Sequence, residues 1–73
     1  MTELREHFAQ RLRALRVARQ LTQEDLAQRT GLSVNFISTM ERGINAPSFE
    51  TLDVLTKTLD VAVKDLFDFD SPA

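Results

Sequence analysis

The stretch Leu21-Thr22-Gln23-Glu24-Asp25-Leu26-Ala27-Gln28-Arg29-Thr30-Gly31-Leu32-Ser33-Val34-Asn35-Phe36-Ile37-Ser38-Thr39-Met40-Glu41-Arg42-Gly43 reads as two short helices joined by a tight turn. Thr22 followed by Gln23-Glu24-Asp25 is an N-cap with an acidic residue three positions on, and the acidic pair suits the positive end of a helix. Leu26 and Ala27 give this helix, over about 23–29, its apolar side. Gly31 falls where a left-handed residue must end the helix, a conformation that a residue without Cβ adopts freely. Ser33 caps a second helix over about 34–42, and Gly43 closes it in the same way.

Working outward, Leu4, Phe8, Leu12 and Leu15 recur at helical spacing, and no Gly or Pro interrupts the chain from Thr2 to Thr30. This predicts a helix over about 2–20. Downstream, Ile44-Asn45-Ala46-Pro47 is a loop and Ser48 a cap, after which Phe49, Leu52, Leu55 and Leu59 mark a helix over 49–59. Val63, Leu66 and Phe67 suggest a short one over 62–67, and the polar tail over 68–73 is expected to fray. No segment alternates like a strand or repeats. The expected fold is all-α, a compact five-helix domain filling residues 1–73 with a helix-turn-helix at its centre.

The chain of 73 residues is 42% hydrophobic and 27% charged, ordinary for a globular domain and too apolar for a disordered one. A domain this small is marginally stable by itself. It has no cysteine, so neither a disulfide nor a thiolate zinc site can supplement packing. The opening Met1-Thr2-Glu3-Leu4-Arg5-Glu6 is acidic where a secretory or transit peptide is basic, and no apolar run reaches the ~20 residues that span a bilayer. These features predict a cytoplasmic protein without a membrane partner.

Net charge is −2, which taken whole argues against nucleic acid. Its distribution argues otherwise. Residues 1–45 carry seven arginines against five acidic side chains, a balance of +2, whereas residues 46–73 carry two lysines against six, a balance of −4. The first half is expected to face phosphate and the second solvent or protein.

Two helices joined by a short glycine-containing turn are the arrangement of a DNA-binding helix-turn-helix. At 100° per residue the second helix puts Phe36, Ile37 and Met40 on one side and Asn35, Ser38, Thr39 and Arg42 on the other. The outer set is mostly short donors and acceptors, which reach base edges in a major groove, whereas a merely solvated face usually carries Glu and Lys.

Here the sequence resembles the lambda-repressor/Cro-like helix-turn-helix family of transcriptional regulators. The residues that carry the resemblance are Leu21-Thr22-Gln23-Glu24-Asp25-Leu26-Ala27, Gly31-Leu32-Ser33, Ile37-Ser38, Glu41-Arg42-Gly43, Pro47-Ser48 and Leu52, within roughly Arg11 to Phe67. It implies a five-helix domain whose third helix enters the major groove of double-stranded DNA at a two-fold symmetric operator, bound by a homodimer. It implies phosphate contacts from Gln23 and Ser33, base contacts from Val34, Asn35, Ser38 and Thr39, and backbone contacts from Arg42 and Asn45. Val34 departs from the polar residue common there, which suits an apolar contact to a thymine methyl. Small stand-alone regulators, such as restriction-modification controller proteins and prophage repressors, fit the same resemblance.

Arg16 lies on the edge of the first helix's apolar stripe, and a half-buried arginine needs an anionic partner. The resemblance pairs it with Glu41, a structural clamp orienting the third helix. Two-fold binding calls for a self-association surface. Val54, off the apolar side of its helix, and Phe69, beyond the last helix, are candidates with Val61 and Val63. His7 has no companion at metal spacing and reads as a surface residue. Asp65, Asp68 and Asp70 lack the glycine and terminal glutamate of a calcium loop. No nucleophile comes with an activating base, so no cofactor, metal or catalysis is expected. The rival reading is an antitoxin-like or adaptor module whose main partner is a protein, supported by the acidic C-terminal half.

Overall fold

The computed structural model describes residues 3–70, which form five helices and, among the described residues, no strand. They are α1 (Glu3–Ala18), α2 (Gln23–Thr30), α3 (Val34–Glu41), α4 (Phe49–Leu59) and α5 (Val63–Leu66). The starts of α2 to α5 each have a local cause. Thr22 Oγ1 accepts from Asp25 N and the Asp25 carboxylate accepts from Thr22 N, both at 2.9 Å. Ser33 Oγ accepts from Phe36 N at 3.0 Å and Ser48 Oγ from Thr51 N at 3.1 Å. Ala62 has no capping side chain, so the Asp65 carboxylate, accepting from Ala62 N at 2.9 Å, takes that role for α5.

The stops of α1 to α4 share a device. Gln20, Gly31, Gly43 and Asp60 all adopt the left-handed conformation, with φ of 60°, 77°, 75° and 56°. After α3 the chain forms a complete reversal: Gly43 N donates to Met40 O and Ile44 N to Thr39 O, the two bonds of a Schellman motif. A side chain at Gly43 would also meet Glu6 of α1, whose Cγ lies 3.4 Å from an ideal Cβ.

One core unites the helices: Phe8, Leu12 and Leu15 from α1, Leu26 and Ala27 from α2, Ile37 and Met40 from α3, Leu55 and Leu59 from α4, Leu66 from α5, and Leu21 from the first turn. α3 packs on both α1 and α2, which leaves its opposite side facing solvent. No helix among the described residues is long and apolar enough to cross a membrane.

The structure corrects the sequence reading at several points. α1 stops at Ala18 rather than 20, because Gln20 turns left-handed and Leu21 N bonds back to Arg16 O. α2 extends to Thr30, α3 ends at Glu41, and α5 is a single turn; Thr2 and residues 71–73 of the expected helix and tail lie outside the described residues. Leu4 and Phe49, assigned to apolar stripes, are exposed, Phe49 to 86%. The buried line of α4 is Thr51, Leu55 and Leu59, and Phe49 stands about 120° round the helix from Leu55. The tail also returns to the body: the Phe69 ring lies 5.2 Å from His7 and 6.2 Å from Phe67.

Candidate nucleic-acid interface

Of the seven arginines that tip the first half positive, three belong to the fold. Arg11 Nε donates to Asp65 O at 2.7 Å, Arg19 Nε donates to Leu59 O, and Arg16 lies in the interior. Arg5 Nη1 reaches Ile44 O at 3.2 Å. Part of the positive charge of this half is thus tied to the fold. The exposed arginines are Arg5, Arg13, Arg19, Arg29 and Arg42, of which Arg19 is held by Leu59 O and Arg42 leaves the end of α3.

Arg16 joins α1 to α3 and to the turn before α2. Its Nε and Nη2 donate to Glu41 Oε2 and Oε1 at 2.7 and 2.9 Å, and its Nη1 donates to Leu21 O at 2.6 Å. The side chains of Arg16 and Glu41 are only 9% and 2% exposed. The Glu41 hydrogen bonds hold the guanidinium above its ordinary pKa, against the opposing effect of burial. Gln23 Nε2 donates to the same Glu41 Oε1 at 3.1 Å. Since a carboxylate only accepts, this contact fixes the orientation of the Gln23 amide. Gln23, expected at a phosphate, is thus tied by one N–H to the Arg16–Glu41 pair; sequence spacing gave no sign of that bond.

The outward side of α3 divides into committed and uncommitted groups. Val34 is 38% exposed. Asn35 is exposed and Ser38 half-buried, and neither side chain makes a hydrogen bond among the described residues. Ser33 Oγ accepts the capping N–H and keeps its own proton to donate. Thr39 differs: its hydroxyl donates to Phe36 O at 3.0 Å and accepts from Asn45 Nδ2 at 2.7 Å. Phe36 is half-buried against the core. At the start of α2, the Thr22 N–H holds the Asp25 carboxyl below the usual range.

The expected association residues are unequally exposed. Val61 packs against the core, Val54 is half-buried, Val63 is exposed, and Phe69 is exposed on one side with its ring beside His7. Val61 follows the left-handed Asp60 and is carried inward when its N–H bonds back to Thr56 O. Phe49, absent from the expected set, is the most exposed large apolar side chain described. Its angular offset from Leu55 was the signal that could have found it.

Comparison with known proteins places the fold among regulators. A family model described as a helix-turn-helix domain matches residues 7–68. The chain is 42% identical over 61 residues to the HTH-type transcriptional regulator DdrOP3 of Deinococcus deserti, covering 84% of this chain and 47% of that protein. It is 36% identical over 63 residues to the control protein C.BamHI of Bacillus amyloliquefaciens, covering 85% and 78%. Among solved structures, the restriction-modification controller protein C.AhdI of Aeromonas hydrophila superposes with a TM-score of 0.83 at 38% identity, over 86% of this chain and 96% of that one. The chain spans 30–53% of the length of three of the curated relatives it matches.

Proposed function

The chain belongs to the helix-turn-helix domain family, and we propose that it is a transcriptional regulator that binds double-stranded DNA with α3 in the major groove. The observation that carries this reading is the state of α3's outward side chains. Among the described residues, the side chains of Asn35 and Ser38 make no internal hydrogen bond, on a helix whose flanks are pinned by Glu41 and Thr39. Groups held in place but left unbonded are suited to reading base edges. Val34 adds an apolar contact for a thymine methyl, while Ser33, Gln23, Arg42 and Asn45 supply donors for phosphate.

Recognition of a two-fold operator follows if two copies associate. The molecule measures 29 × 22 × 20 Å, so two copies abreast suit half-sites ~34 Å apart. We assign the contact to the α4–α5 side, through Val54, Val63 and Phe69 with Val61 behind them, and add the exposed Phe49. The names of the relatives, control and controller proteins among them, support a regulatory role. The acidic α4–α5 half favours a protein partner as the second reading.

The test is selection of bound duplexes from a random pool, followed by titration at several salt concentrations. A salt-dependent preference for one symmetric sequence supports the proposal. Equal binding to every duplex, or none, rejects it in favour of the protein-partner reading. Sedimentation of a Phe49→Asp, Phe69→Asp variant tests the association surface: monomers are expected, and parental sedimentation would remove it.

A further inference from the structure

Thr39 lies on the outward side of α3, yet the fold has already claimed its hydroxyl. A hydroxyl has one proton and two lone pairs. The proton of Thr39 goes to Phe36 O and one lone pair to Asn45 Nδ2, while the Thr39 carbonyl accepts from both Ile44 N and Asn45 N at 2.9 and 3.3 Å. Arg5 ties the same loop to α1 through Ile44 O. Thr39 therefore has no proton to offer a base acceptor, in contrast to Asn35 and Ser38. Asn45 meanwhile has one N–H on Thr39 and a second left over.

From this bonding we infer that Thr39 is a positioning residue rather than a reader of bases, its hydroxyl orienting the Asn45 amide so that the free N–H meets a DNA phosphate. The inference rests on the DNA-binding reading above and assigns Thr39 a different part in it. Phosphate contacts position a protein and lower affinity alike on all sequences when lost, whereas base contacts specify. The two roles consequently leave different signatures.

The experiment titrates the full chain and its variants against two probes, a duplex recovered from a random pool by the parent and a scrambled duplex, across a range of salt. Thr39→Val keeps the shape and removes the hydroxyl. It is expected to weaken binding to both duplexes by a similar factor of about three to ten and to leave the salt slope unchanged, because the Asn45 amide is uncharged and displaces no counterion. Thr39→Ser, which restores the hydroxyl, should return the parental affinity and preference. Asn45→Ala should match Thr39→Val, and the double variant should lose no more than either single one. A changed preference at one base pair in Thr39→Val overturns the inference alone, as do additive losses in the double variant. A parent that shifts no duplex at any salt overturns the DNA-binding reading and this inference with it.

Discussion

The junction of α1, α2 and α3 and the outward side of α3 share a helix and treat polar groups in opposite ways. At the junction, Arg16 and Glu41 are withdrawn from water and bonded to each other, with Arg16 also on Leu21 O and the half-buried Gln23 on Glu41. On the outward side, Asn35 and Arg42 stand in solvent and Ser38 keeps its hydroxyl unbonded within the chain. A buried charge without a partner is costly, so the junction has to be complete for α3 to sit where it does. An exposed amide or hydroxyl carries no such obligation and stays available to an external partner. One helix thus combines a fixed orientation with an unoccupied surface.

The contrast is broken most severely at Glu41. Glu41→Ala strands the Arg16 guanidinium and should remove about 3 kcal/mol of unfolding free energy. For a domain of this size that lowers the thermal midpoint by about 12–24 °C. Asn35→Ala, changed on the other side of the same helix, should stay within about 0.5 kcal/mol of the parent. Similar melts for the two variants would show that the junction and the surface do not differ in this respect.

Next in size is a loss in binding rather than in folding. Arg42→Ala should weaken cognate and scrambled duplexes alike and make the salt slope shallower by about 0.9, with the melt unchanged. A selective loss on the cognate duplex would move Arg42 from phosphate to base. A smaller change lies at the end of α1. Gln20 holds a left-handed conformation with φ of 60°, and left-handed backbone strains a residue with a Cβ by roughly 1–2 kcal/mol. Gln20→Gly should accordingly raise stability by up to about 1 kcal/mol in a denaturant melt, and a fall would mean that the turn is held by the Gln20 side chain.

The smallest effect is a pH dependence. The Asp25 carboxyl is lowered by the Thr22 N–H and hydroxyl, so its contribution is present above the ordinary carboxylate pKa and is lost as acid takes the pH down through the folded value. Arg16 shifts upward instead and stays charged throughout the accessible range. Acid melts should thus separate Asp25→Asn from the parent only above the carboxylate range, with the two curves converging below it. A constant gap down to strong acid would assign the capping effect to something other than the charge.

What the sequence disclosed and withheld follows from how local each cause is. Thr22, Ser33 and Ser48 announce helix starts because a cap bonds within its own three residues, and Gly31 and Gly43 announce stops because glycine is the residue that turns left most easily. Gln20 and Asp60 make the same turn without that signature, which is why α1 was read two residues too long. Phe49 was misplaced because spacing alone admits two neighbouring lines down α4. The Arg16–Glu41 pairing came from family resemblance, not from spacing. The Gln23 and Thr39 bonds depend on where α3 and its following loop come to rest, and no pattern within a helix encodes that.

The central question is whether the uncommitted groups of α3 read sequence. The direct measurement titrates the parent, Asn35→Ala and Ser38→Ala against the selected duplex and a scrambled one at several salt concentrations, with the association state checked first. Each substitution should cost about 1–3 kcal/mol on the selected duplex, flatten the preference at particular base pairs, and leave the scrambled duplex and the salt slope almost untouched. Equal losses on both duplexes would contradict this, and α3 would then be a helix that touches DNA without reading it.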